Sequence, residues 1–293
     1  MKKVKFVLMA LVAAIVVSCG TTRTVPITGR KQNILVSDEQ VLSLSNQEYT
    51  NYMKSAKIST NAANTAMVKR VGQKLATAVE AYLSNHGLAS EINQYNWEFN
   101  LVQDKSANAF CMPGGKIVVY EGLLPYTQNE ASLAIVLGHE IAHAVAKHSA
   151  EQMSKQIKNQ YGTQIFGSVL NAAGVSSSTT QLAQIIAQKG LQFRSLKYSR
   201  DNETEADRMG LIFAAMAGYD PNVAVSFWQR MSQGNNSNQS DMFSDHPSDA
   251  KRIAAIKQEL PEALTYYNPP KTTVKKTTSK AKKTVRKTTT RRK

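Results

Sequence analysis

Cysteine is almost missing from these 293 residues. Cys19 and Cys111 are the only two, too few for a disulfide framework, so packing must hold the fold together. Long apolar stretches are missing too. The longest, residues 6–17, has twelve members and is too short to cross a bilayer comfortably. No convincing internal repeat is present, which argues against a solenoid. Acidic residues are absent from 1–18 and 271–293, which between them hold fourteen of the thirty-six Lys and Arg. The other twenty-two face twenty-one Asp and Glu, so the formal charge of +15 belongs to the ends and the body is nearly neutral. A basic nucleic-acid-binding face on the folded part is therefore not implied, and no nucleic acid is expected as a partner.

The ends themselves are informative. Lys2, Lys3 and Lys5 precede the apolar run, as in an export signal, and the run closes on Val16-Val17-Ser18-Cys19. That ending resembles a bacterial lipobox, so residues 1–18 are expected to be a lipoprotein signal peptide and Cys19 the lipidated residue. Acyl chains on Cys19 would anchor the protein to a membrane at about 0.8 kcal/mol per buried CH2. The expected location is the bacterial cell envelope, facing the periplasm. Cys111 is then left without a partner and reads as a small buried residue. Residues 19–36, polar and Thr-rich with Pro26 and Gly29, read as a tether. Residues 263–293 are mostly Thr, Lys and Arg and read as a disordered tail suited to anionic lipid or cell-wall polymer.

Between the ends, residues 37–262 read as one domain, α+β and mainly α. Ser37 with Gln40 is a capping-box start for a helix to about 57, and a second helical pattern covers 61–84. His86, at its stop, reads as a solvated helix-end residue. Residues 95–102 read as a strand, and 108–120 as two short strands about Pro113-Gly114-Gly115. Helices are then expected over 128–147, 151–173, 181–193, 200–218, 221–231 and 248–260, with a polar loop at 233–240.

The helix at 128–147 carries His139-Glu140-Ile141-Ala142-His143, an HExxH motif. Histidines four apart share a helix face and can reach one metal ion. Glu140 lies about 100° round the helix, placed to take a proton from water. The flanks are apolar on almost every side. Burying two imidazoles and a carboxylate there is costly unless a partner holds them, and Zn2+ is the expected partner.

A catalytic zinc site needs a third protein ligand, from a further His, Glu or Asp. Ser149 and Ala146 stand where HExxHxxGxxH would need His and Gly, so that class is excluded. His148, nine residues after His139, falls on the opposite face of a continuous helix and reads as a surface or packing residue. Glu203 and Asp207 share a face of the 200–218 helix. One can bind zinc while the other holds a ligand imidazole by its second nitrogen.

HExxH followed by Ser199-Arg200-Asp201-Asn202-Glu203-Thr204-Glu205-Ala206-Asp207 resembles the gluzincin peptidase family that includes HtpX, BepA and the CAAX prenyl protease. Residues 108–124 and the His246-Pro247 segment ending in Arg252-Ile253 extend the likeness. The resemblance implies a minigluzincin-like zincin fold with a small sheet flanking the HExxH helix. It further implies His139, His143 and Glu203 as zinc ligands, Glu140 as general base, and Asp207 behind a ligand histidine. Ile117, Val118, Val119 and Tyr120 would form the cleft-edge strand that holds extended substrate. His246 would lie near the metal, gating the site or stabilising an oxyanion. The implied activity is zinc-dependent hydrolysis of peptide bonds in unfolded or misassembled envelope proteins. The alternative is a non-catalytic or latent chaperone-like lipoprotein of the same fold.

Overall fold

The computed structural model describes residues 21–171, 193, 196–234 and 250–268. Residues 21–34, expected to be a tether, instead form a hairpin of β1 (Thr21–Thr24) and β2 (Lys31–Ile34). Val25 and Ile34 are buried in it, and so is Gln32, whose amide donates to the Ala146 carbonyl at 3.0 Å. A polar residue here earns its burial through a hydrogen bond, which is why composition alone suggested a loose linker.

Helix α1 (Asp38–Ser55) begins at the predicted capping box, with Ser37 and Gln40 bonded reciprocally. Helix α2 (Ala62–Asn85) follows, and His86 caps its end, stacked on Tyr82. A sheet of β3 (Glu98–Val102), β4 (Ala109–Met112) and β5 (Lys116–Tyr120) comes next. Gly114 and Gly115, at φ +86° and +81°, make the β4–β5 turn, a backbone region that side chains with a Cβ resist.

The strand order is β3-β5-β4, with β5 parallel to β3 and antiparallel to β4. This corrects the expectation for Ile117, Val118, Val119 and Tyr120. They lie on the central strand, bonded on both sides, and have no free edge to offer a substrate. Ile117 and Val119 pack into one apolar cluster and Val118 and Tyr120 into another, so both faces of β5 are covered. Among the described residues, β4 is the outer strand on the side of the HExxH helix.

That helix, α3 (Glu130–Val145), starts at Asn129, whose side chain accepts from the Ser132 N–H, and every residue from Ser132 to Val145 is buried. Its fully buried Leu133, Leu137 and Ile141 each contribute about 1.5–3 kcal/mol relative to exposure. Helix α4 (His148–Asn171) follows after one corner at Lys147, then α5 (Arg200–Met216), α6 (Val223–Gly234) and α7 (Ala250–Thr265). The last helix runs through Pro261, past its expected end at 260. Helix α3 packs mainly on α5, with α2, β4, α4 and α6 around it. The fold is α+β and mainly helical, as expected, with the motif helix at its centre.

Candidate metal centre

Helix α3 turns His139 and His143 onto one face, where their Nε2 atoms lie 3.0 Å apart. Helix α5 supplies the third donor. Its start is fixed by Ser199, which caps it and is bonded in turn by Asn202. Glu203, in the first turn, brings one carboxylate oxygen to 3.4 Å from His139 Nε2 and the other to 3.4 Å from His143 Nε2.

The approach of the two helices depends on glycine at both surfaces. A Cβ on Gly138 would lie 2.7 Å from the Gly210 carbonyl oxygen, and one on Gly210 would lie 2.6 Å from the His139 backbone nitrogen. Backbone meets backbone there, so Glu203 is drawn up to the histidines.

These donors fit zinc. A tetrahedral ion about 2.0–2.1 Å from each donor needs them roughly 3.3 Å apart, close to the observed 3.0–3.4 Å. Among the described residues, His139, His143 and Glu203 form the group of metal-ligating side chains able to hold one ion. The electrostatics agree: burial opposes a charge on His139, yet its hydrogen bonds to the Asp207 and Glu203 carboxylates hold its pKa up at about 9. The carboxylates favour positive charge at this point.

Behind His139, Asp207 Oδ1 accepts from Nδ1 at 2.9 Å, which leaves Nε2 facing the metal position. Arg252 of α7 donates to both Asp207 oxygens, at 2.8 and 2.7 Å, and its guanidinium lies 3.6 Å over the Trp228 ring of α6. Burial pushes the Asp207 carboxyl up, but Arg252 and His139 bring it below the usual carboxylate range.

Glu140, one residue round from His139, is 3% exposed. Its charge adds to burial in pushing the Cys111 thiol of β4 well above its ordinary value. The helix that carries Glu140 packs directly on β4, the outer strand on this side among the described residues.

Behind His143 the surroundings differ from the reading of the sequence. His148 is fully buried, and its Nδ1 lies 2.8 Å from His143 Nδ1. The chain does not continue as a helix to residue 148. Helix α3 ends at Val145, and Lys147 adopts a left-handed φ of +54°, turning His148 back beneath His143. Lys147 is tied in that corner by Asp38 at 2.9 Å and Glu91 at 2.7 Å. His148 Nε2 in turn contacts Glu205 at 2.9 Å, and the Tyr198 ring stacks on His143 at 4.1 Å.

The structure brings His139, His143, Glu203 and Asp207 together, with Glu140 buried next to His139 on the same helix. His246 and Cys19 lie outside the described residues, as do the signal segment and residues 269–293. His148, Glu205 and Tyr198 were not expected here. Arg252 was noted only as the end of a motif. Glu205 and Tyr198 stand in or beside the Ser199–Asp207 stretch, and that proximity was the available signal.

The model of peptidase family M48 matches residues 62–260. The mitochondrial metalloendopeptidase OMA1 of Schizosaccharomyces pombe is 39% identical over 176 residues, 59% of this chain and 50% of that protein. The human mitochondrial metalloendopeptidase OMA1 is 32% identical over 244 residues, 82% of this chain and 46% of the relative. A putative beta-barrel assembly-enhancing protease of Vibrio cholerae is 33% identical over 161 residues, 51% of this chain and 32% of its own length. The chain spans half or less of the length of these relatives.

Proposed function

This chain belongs to peptidase family M48, and we propose on that premise that it is a membrane-tethered endopeptidase cleaving unfolded or misassembled envelope proteins. The observation that carries the reading is the convergence of His139, His143 and Glu203 to 3.0–3.4 Å beside a buried Glu140. His139, His143 and Glu203 would hold zinc, which when bound supplies a Lewis acid that polarises a carbonyl and acidifies water. Asp207 keeps the His139 hydrogen on Nδ1. Glu140 takes a proton from the attacking water and delivers it to the departing amine nitrogen as the peptide C–N bond breaks.

The outer strand β4 supports binding of extended chain by main-chain hydrogen bonds, the role first expected of β5. An edge strand accepts any sequence through its backbone, which suits unfolded protein as a substrate class. The signal pattern of residues 1–18 and the position of Cys19 support lipid anchoring at a periplasm-facing membrane surface. No helix among the described residues is long and apolar enough to cross a membrane. The basic tail supports contact with anionic lipid or cell-wall polymer, its charge unopposed by any acid over 271–293.

The test is degradation of an unfolded protein by the purified full chain, alongside Glu140→Gln. The native chain is expected to hold about one zinc and cleave. The variant is expected to keep zinc and lose activity by roughly 10²–10⁴-fold. Full activity in Glu140→Gln, or a metal-loaded native chain that cleaves nothing, refutes the reading.

A further inference from the structure

The two ligand histidines are braced differently. Asp207 holds His139 directly, whereas His143 is held through a second imidazole. His143 directs Nε2 at the other donors, so its hydrogen sits on Nδ1 and is donated to His148 Nδ1 at 2.8 Å. His148 then carries its own hydrogen on Nε2 and donates it to Glu205 at 2.9 Å. The contacts assign one tautomer to each ring, and the direction of donation ends on a carboxylate.

That carboxylate is fixed from the N-terminal hairpin. Arg30, in the β1–β2 turn, donates its Nε–H to Glu205 Oε2 at 2.8 Å, and the Thr28 hydroxyl donates to the other oxygen. The terminal nitrogens Nη1 and Nη2 donate to Glu151 Oε1 and Oε2, at 3.0 and 2.8 Å. Glu151 stands on α4 and Glu205 on α5, and both are buried. A planar fork with five donors spans the two carboxylates and holds the helices at one spacing.

We propose that Arg30 is a positioning residue for His143, acting through Glu205 and His148, so that the hairpin is part of the metal centre's frame. The inference rests on His139, His143 and Glu203 being the metal ligands. Without Arg30, the Glu205 carboxylate loses the partner that aims it, His148 loses its anchor, and the His143 ring is freed to turn away from the other donors. The effect belongs to ligand geometry, and substrate contact is untouched.

The experiment uses the full chain as Arg30→Ala, Arg30→Lys and Glu205→Gln, with His143→Ala as reference. Zinc affinity is measured by chelator competition, and the cobalt-substituted proteins by visible absorption, which reports ligand geometry. Arg30→Ala is expected to bind zinc about 10–100-fold more weakly, with a shifted cobalt spectrum. Against unfolded substrate, kcat should fall with KM little changed. Arg30→Lys should recover part of the affinity, since one charge cannot reproduce the fork. Glu205→Gln, nearly the same shape, should move in the same direction and serves if Arg30→Ala does not fold. Native affinity and cobalt spectrum in folded Arg30→Ala, or in Glu205→Gln, overturn the proposal even where His143→Ala abolishes binding. If His143→Ala binds metal normally, the ligand assignment itself fails and the proposal with it.

Discussion

Replacing Gly210 by alanine places a methyl group between α3 and α5. Its carbon would lie 2.6 Å from the His139 nitrogen and 2.8 Å from the Gly138 carbonyl carbon, where ordinary contact begins at 3.4 Å. The obstructing atoms are backbone inside a fully buried helix, so no change of rotamer relieves them. The helices must separate locally by about 0.8 Å, the gap between 2.6 and 3.4 Å. Glu203 sits two turns earlier on the same α5 face and moves with it, away from imidazoles it now meets at 3.4 Å. Overpacking of this kind costs about 1–3 kcal/mol, or a Tm loss of roughly 3–10 °C for a domain this size. An error on the order of 1 Å in a catalytic constellation costs on the order of 10²-fold in rate, and zinc affinity should fall by a comparable factor. Calorimetry with and without zinc, together with chelator competition, measures both. A lowered Tm with native zinc affinity refutes the coupling of this packing contact to the site; native values of both refute the contact itself.

Two further outcomes follow from the charges around the site. Arg252→Met should destabilise the protein by about 3–5 kcal/mol in urea unfolding, because it strands the buried Asp207 carboxylate; a change under 1 kcal/mol contradicts the arrangement. Glu151 is held at about 2: burial raises it, but hydrogen bonds from Arg30 and Lys155 outweigh that. A depressed folded pKa stabilises the protein above the ordinary value of 4.5 and loses that effect as pH falls toward 2. Glu151→Gln should therefore unfold more easily than the native chain at pH 7, with the difference shrinking between about pH 4.5 and 2; a pH-independent difference counts against it.

Much of the centre was legible because its spacing is helical. His139 and His143 are one turn apart, and so are Glu203 and Asp207, within runs whose caps at Asn129 and Ser199 are local signals. His148 was misread because its position depends on one residue. A lysine with φ of +54° carries no compositional mark, and continuing the helix through it rotates every later residue to the wrong side. The β5 assignment failed for another reason. Ile117-Val118-Val119-Tyr120 shows no polar alternation, the pattern of a strand covered on both faces, whereas the edge reading rests on resemblance alone. The hairpin was hidden by its polarity, since the buried partners of Arg30 and Gln32, Glu151 and the Ala146 carbonyl, lie more than a hundred residues away.

The donor set is spread along the chain in a way that governs when it can exist. His139 and His143 are made together, but Glu203 follows sixty-four residues after His139, and Arg252 a further forty-nine later. A ribosome adding about 5–20 residues per second reaches Glu203 roughly 3–13 s after His139. During that interval the chain holds a pair of imidazoles and a carboxylate with no third donor, and with neither Asp207 nor Glu205 to fix the rings from behind. Splitting the centre between an early helix and a late one means that, on the proposed function, the metal-binding set is complete only in the finished domain.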